Sequence, residues 1–162
     1  MFKSLLHHHS TQPTDLLDSQ LFNEETFYPS FLKDLENCLG EVIIESPFIT
    51  NRRINLMLPV LEKLKSRKVR VVINTRDPKR HDNDYMCSEA YEALSDLQHL
   101  GVHVIYTDSH HRKLAIIDRS ILYEGSLNIL SQNNSREVMR RIQSAQLAWQ
   151  MAAFVEIDKF LS

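Results

Sequence analysis

HRKLAIIDRSILYEGSLNILSQNNSRE, residues 111–137, contains two short apolar runs separated by a turn, with polar groups at the outer ends. Successive side chains of a strand alternate faces, so His111 and Lys113, two apart, share one side. Residues 114–117 (LAII) predict a buried strand. Asp118 and Arg119 suit a tight turn, and residues 120–123 predict the returning strand. Gly125 relieves crowding at its end, where Ser126 and Asn128 again share a face. An imidazole, an ammonium, a hydroxyl and an amide thus gather at one edge of a hairpin. That set suits a tetrahedral anion.

Upstream, residues 24–39 carry Phe27, Phe31, Leu35 and Leu39 at four-residue spacing, which predicts an amphipathic helix stopped by Gly40. Residues 41–48 predict a buried strand closed by Ser46-Pro47. Thr50 or Asn51 caps a second helix running to about Ser66, and Pro59 inside it predicts a kink or a division. Residues 69–74 predict a second strand. The charged loop 76–83 follows its C-terminal end, where open α/β sheets place their ligands. Arg76 is therefore either a phosphate contact or an ordinary loop arginine. Residues 88–100 predict a third helix ended by Gly101, and residues 102–106 a third strand leading into a fourth at His111. Residues 137–142 predict a sixth, short strand. Residues 143–161 predict a long helix with few charges, apolar on more than one face. Such a helix is either central to the core or buried against another subunit.

Alternating strands and helices ending in a hairpin predict an α/β fold with a mixed central β-sheet flanked by helices. A length of 162 residues suits one domain, expected over residues 24–162. Residues 1–23 read as a polar, aperiodic N-terminal segment with a His7–His9 run to which no function is assigned. Three Gly and 43% apolar residues exclude a disordered chain. No apolar run has the length of a membrane span, and residues 1–6 are too short for a secretory leader. Cys38 and Cys87 make neither a disulfide framework nor a zinc ligand set. They are expected as reduced thiols in a cytoplasmic protein.

The net charge of −2 is unevenly spread. Residues 49–80 carry ten Lys/Arg against two Asp/Glu, whereas residues 1–48 carry two against eight and residues 81–162 seven against eleven. The central block either holds a polyanion or is a solvated helix face followed by a loop.

His111-x-Lys113, four residues, Asp118, six residues, then Gly125-Ser126-x-Asn128 resembles the motif of the phospholipase D superfamily, matched without a gap. The resemblance implies a central mixed sheet flanked by helices, in agreement with the order of elements from about residue 24. It also implies a phosphodiesterase. Larger members carry two such motifs in one chain, whereas single-motif members pair two chains into one active site. Small single-motif members are mostly nucleases, so the resemblance points to an endonuclease acting on DNA or RNA as a homodimer.

The chemistry fits these residue types. A neutral imidazole is abundant near neutral pH and forms covalent intermediates, so His111 is the expected nucleophile and a phosphohistidine the expected intermediate. A second imidazole, protonated, donates to the leaving oxygen and then activates water; a C2 dimer supplies it as a second His111. Lys113 and Asn128 clamp the phosphoryl oxygens, assisted by Ser126. Such a scheme requires no metal or other cofactor, and the sequence offers no convincing carboxylate cluster for one. Asp118 belongs to the motif but, directly after a strand, is expected to hold the turn or orient Lys113. Glu137 lies 26 residues after His111, where related nucleases carry a glutamate that bonds a catalytic histidine and fixes its tautomer. Arg140, with Arg136 and Arg141, either lines the approach or pairs at the surface. His110, lacking the motif spacing, is expected to be structural or exposed. Two other readings remain. One is a binding module of the same fold without turnover; the other is a phospholipase or phosphatidyltransferase, which the single motif and short chain disfavour.

Overall fold

A computed structural model describes residues 18–81 and 83–161. In chain order the elements are β1 (Ser19–Asn23), α1 (Phe27–Asn37), β2 (Glu41–Glu45), α2 (Asn51–Ser66), β3 (Arg70–Thr75), α3 (Asp84–His99), β4 (His103–Tyr106), β5 (Leu114–Ile117), β6 (Ile121–Gly125), β7 (Val138–Gln143) and α4 (Ala145–Phe154). One mixed sheet takes the strands in the order β1-β7-β6-β5-β2-β3-β4. Strands β2, β3 and β4 run parallel, and the other neighbours pair antiparallel. The expected α/β fold with a mixed sheet between helices is the fold observed.

Each strand's alternation sorts its residues between two layers. Val42, Ile44, Val71, Ile73, Ala115 and Tyr123 face one side, where α1, α2 and α3 supply Phe27, Phe31, Leu61 and Leu97. Ile43, Val72, Ile116, Leu122 and Ile142 face the other, where, among the described residues, α4 and the C-terminal turn supply Ala148, Ala152 and Ile157. Strand β2, central and covered on both faces, is buried throughout, as such strands require.

Local chemistry sets the boundaries. The Thr50 side chain accepts from Arg53 N at the start of α2, and Asn83 Oδ1 accepts from Met86 N at 2.8 Å at the start of α3. That cap begins α3 at Asp84, four residues before the apolar pattern does. Helix α2 is not divided at Pro59. Asn55, whose carbonyl loses its donor there, is exposed, so the position is open to solvent and the missing bond costs little.

Three expectations about the elements are corrected. Residues 19–23, read as part of an aperiodic segment, form edge strand β1 against β7; residues 1–17, with the His7–His9 run, lie outside the described residues. The helix over 143–161 is shorter, ending at Phe154 before a 3₁₀ turn over Ile157–Phe160. Glu156, at positive φ, breaks it. The fourth strand begins at Leu114, leaving His111 and Lys113 in the irregular segment before it.

Asp118 serves the fold at the end of β5 away from Lys113. Its carboxylate accepts from Leu39 N (2.8 Å), Gly40 N (2.7 Å) and Glu41 N (3.0 Å), and the Cys38 thiol donates to it at 3.2 Å. Five residues of extended chain, roughly 16 Å, separate it from Lys113. Of the two roles expected, orienting Lys113 is therefore corrected, and Asp118 anchors the turn between α1 and β2. Burial alone would raise its pKa, but the amide donors outweigh burial and hold it below the usual carboxylate value. The same proton lifts Cys38, whose thiol is pushed up to about 12 by burial first and by Asp118 second. Asp118→Ala should cost about 3 kcal/mol at neutral pH. Because the folded pKa is depressed, this contribution is complete above about pH 4 and fades as pH falls through the folded value. Urea denaturation of both proteins at pH 7 and near pH 2 measures it, with the gap closing in acid. Activity per folded molecule should not change; a specific loss of turnover would return Asp118 to the catalytic group.

Candidate active site

The sheet directions bring one end of six strands together. Glu45 at the end of β2 pairs with Leu114 at the start of β5, Leu114 with Glu124 near the end of β6, and Gly125 with Met139 near the start of β7. The C-terminal ends of β3 and β4 lie alongside. His111, Lys113, Ser126, Asn128 and Glu137 therefore share this end, while Asp118 lies at the opposite one.

Gly125 is required by close approach of β7. A Cβ there would lie 2.1 Å from the Val138 carbonyl oxygen and 2.9 Å from Met139 Cα, both backbone atoms that cannot swing away. The contact lets Ser126 N donate to Val138 O at 2.9 Å and Val138 N donate to Ser126 Oγ at 3.1 Å. Ser126 Oγ in turn donates to Glu137 Oε2. The other Glu137 oxygen accepts from Ser135 Oγ at 2.7 Å, and Glu137 N donates to Glu24 Oε2 at 2.9 Å. Both carboxylate oxygens of Glu137 are thus held by serines, and Ser126 has its single proton committed to Glu137.

His111 is exposed and Lys113 half-buried. Lys113 Nζ donates to the His111 carbonyl at 2.8 Å, leaving the ammonium two further protons to give. The Asn128 carbonyl is fixed by Ser131 N (3.1 Å) and Gln132 N (2.8 Å). Its side-chain Oδ1 is buried without a partner among the described residues.

A buried polar cluster underlies His111 and Lys113. Glu45 is fully buried and is paired with Arg112 through Nε and, at 3.0 Å, NH2. Asn74 Nδ2 donates to Glu45 at 2.9 Å, and Thr107 Oγ1 donates to Asn74 at 2.8 Å. His110 is buried beside them; burial lowers its pKa, against the attraction of Glu45, which would raise it. The residue between His111 and Lys113 is therefore tied to the floor of the sheet, which fixes the segment carrying both. Composition hid this pair, since Arg112 and Glu45 lie 67 residues apart. The one available signal was a carboxylate ending the apolar run EVIIE.

Arg140 donates to Ser19 Oγ at 3.0 Å and lines a shallow concavity with Lys113, Leu21, Val138 and Phe154. Arg76 sits 5.5 Å above the Phe48 ring and lines a separate depression with Arg80 and Ser109. The basic block divides: Arg52, Arg53, Arg76, Lys79 and Arg80 lie toward the His111 end, whereas Lys63, Lys65, Arg67, Lys68 and Arg70 follow α2 to the opposite end. There Lys63 pairs with Glu36 and Arg70 with Glu41. Among the described residues no three His, Cys, Asp or Glu side chains gather as they would to hold a metal ion. Nor is any described helix long and apolar enough to cross a membrane.

Comparison with known structures agrees with this architecture. The fold is similar to Nuc from Salmonella typhimurium, a phospholipase D family member (TM-score 0.68, 15% identity, 84% of this chain and 90% of that one). It is also similar to NucT from Helicobacter pylori (0.68, 18%, 85% and 92%). Polyphosphate kinase from Porphyromonas gingivalis shares it over 95% of this chain but 28% of its own (0.67, 11%). No curated protein sequence matches significantly. Residues 31–158 match the family described as "cardiolipin synthase, PLD-like domain", a span that runs from within α1 through α4 and takes in every motif residue from His111 to Asn128. The chain belongs to the phospholipase D superfamily.

Proposed function

We propose that this protein is a metal-independent phosphodiesterase that hydrolyses nucleic acid as an endonuclease, through a phosphohistidine, in an active site shared by two copies of the chain. The observation that carries the reading is that His111, Lys113, Ser126 and Asn128 share one end of the sheet, with two Lys113 protons unengaged among the described residues. His111 attacks phosphorus as the bond to the leaving oxygen breaks, and the partner subunit's His111 gives that oxygen its proton. The same group then removes a proton from water, which displaces His111 and releases the second product. Lys113 and the Asn128 amide stabilise the charge on the non-bridging oxygens. Glu137 acts through Ser126: its carboxylate holds the hydroxyl that faces the reacting phosphate. A turn of Glu137 toward an imidazole would free Ser126 to donate. Arg76 and Arg140 contact neighbouring phosphates of the strand.

The second copy is supported by what surrounds Lys113. Leu21 (62% exposed), Val138 (50%) and Phe154 (78%) form an apolar rim beside it, on the side of the sheet that α4 covers only in part. A C2 contact over this rim would bury it and bring one His111 toward its copy. Among the described residues, one chain by itself presents a single exposed imidazole here, so a strict monomer would favour the binding-module reading.

Plasmid DNA, RNA and fluorescent phosphatidylcholine, each incubated in excess chelator, test this reading. Cleavage of nucleic acid that persists in chelator is expected, with the lipid intact. Nucleic acid bound but uncut would support the binding module, lipid hydrolysis the lipid enzyme, and cleavage abolished by chelation would refute the metal-free scheme.

A further inference from the structure

Beside the motif, on the three-helix side of the sheet, lies a cavity of about 450 Å³ with Phe48, Arg52, Arg53, Tyr85, Met86 and Gln132 in its walls. Its inner wall is the loop that follows Asn128, whose carbonyl is bonded by Ser131 N and Gln132 N. The cavity therefore begins within one turn of a residue placed at the reacting phosphate. The arginine wall is fixed. Arg53 lies 3.8 Å over the Tyr28 ring and donates to the Gln132 carbonyl at 2.8 Å, and Arg52 donates to Asn133 Oδ1 at 3.3 Å. Glu89, the acidic residue among the described lining, accepts from Asn51 N at 3.2 Å and faces two arginines, Arg52 and Arg53, in the same lining. Across from the arginines, Tyr85 is 74% exposed and Met86 37%, a π face and a thioether directed outward from the first turn of α3.

We propose that this cavity holds one unpaired nucleobase of the strand being cut, and so makes the enzyme selective for single-stranded nucleic acid. The volume lies within the range of small-ligand sites. Cations on one wall and an aromatic platform on the other match a flat ring attached to a phosphate chain, the pairing by which single strands are held without sequence preference. A base in a duplex is paired and stacked and must leave the helix to enter. Cleavage of a duplex is therefore disfavoured. This inference rests on the phosphodiesterase reading and extends it to the substrate.

The test compares the full chain with Tyr85→Ala/Met86→Ala, both exposed positions outside the catalytic group. Three substrates are used: bis(p-nitrophenyl) phosphate, which has no nucleobase; single-stranded oligothymidylate; and its duplex with oligoadenylate. Wild type should cut the single strand at least about 10-fold faster than the duplex. The double variant should raise KM for the single strand about 10-fold, with hydrolysis of the small diester unchanged. An unchanged KM, equal cleavage of single strand and duplex, or equal loss on oligonucleotide and small diester overturns the base site while leaving the phosphodiesterase standing. Wild type that hydrolyses the small diester and no oligonucleotide refutes the nucleic-acid reading, and with it the site. Wild type inactive on all three refutes the phosphodiesterase itself.

Discussion

His111→Ala should reduce nucleic-acid cleavage by more than about 10⁴-fold, because in a shared site one substitution removes the nucleophile and the acid together. Groups that act as a unit lose activity non-additively, so a second change at Lys113 should add little. His111 is exposed and its side chain makes no hydrogen bond among the described residues, so the variant should melt like wild type. The sharing itself has a distinct signature. Wild type and His111→Ala, unfolded together in equal amounts and refolded, partition into dimers of which about a quarter carry two wild-type chains. Activity per wild-type chain should therefore fall by about half. If each chain worked alone, the mixture would retain all of the activity of its wild-type half.

The second large effect falls on stability. Arg112→Ala leaves the fully buried Glu45 carboxylate with Asn74 as its remaining partner. Breaking a buried pair from one side costs about 3–5 kcal/mol, which for a chain of this size corresponds to a fall in Tm of roughly 10 °C. Calorimetry checks it. Arg112→Ala/Glu45→Leu, which removes both charges, should recover much of the loss in Tm. Activity should not recover with it, because the anchor that aims His111 and Lys113 is still missing. Recovery of both would show that the pair supports the fold alone.

Much of this fold is readable along the chain, because helices α1 and α2 and strands β2, β3 and β5 each carry a strong local pattern. Phe27, Phe31 and Leu35 recur every four residues and are all buried, and LAII is buried throughout. What escaped was non-local. Strand β1 has the unremarkable sequence SQLFN, with Leu21 and Asn23 exposed, and exists because β7 offers it a pairing edge. Asp118 reads as a turn residue, yet it meets amides 77 to 79 positions away.

The site divides the same way. The spacing of His111, Lys113, Ser126 and Asn128 is a hairpin property and is visible in sequence. The partners that hold them are not. Glu45 and Arg112 meet only because β2 and β5 are neighbours. Glu137 follows a loop whose path decides its bonds, and it reaches Ser126 and Ser135 in place of the histidine expected for it. The basic block, continuous in sequence, is split by the length of α2, since a 16-residue helix carries its ends roughly 24 Å apart.

The most direct test is a crystal structure of the protein bound to tungstate or vanadate. The account predicts one oxyanion per two chains, lying on the two-fold axis, with both His111 rings within about 3 Å of the oxyanion and Lys113 and Asn128 on its remaining oxygens. One oxyanion per chain, each touched by a single His111 with the two rings far apart, would contradict it.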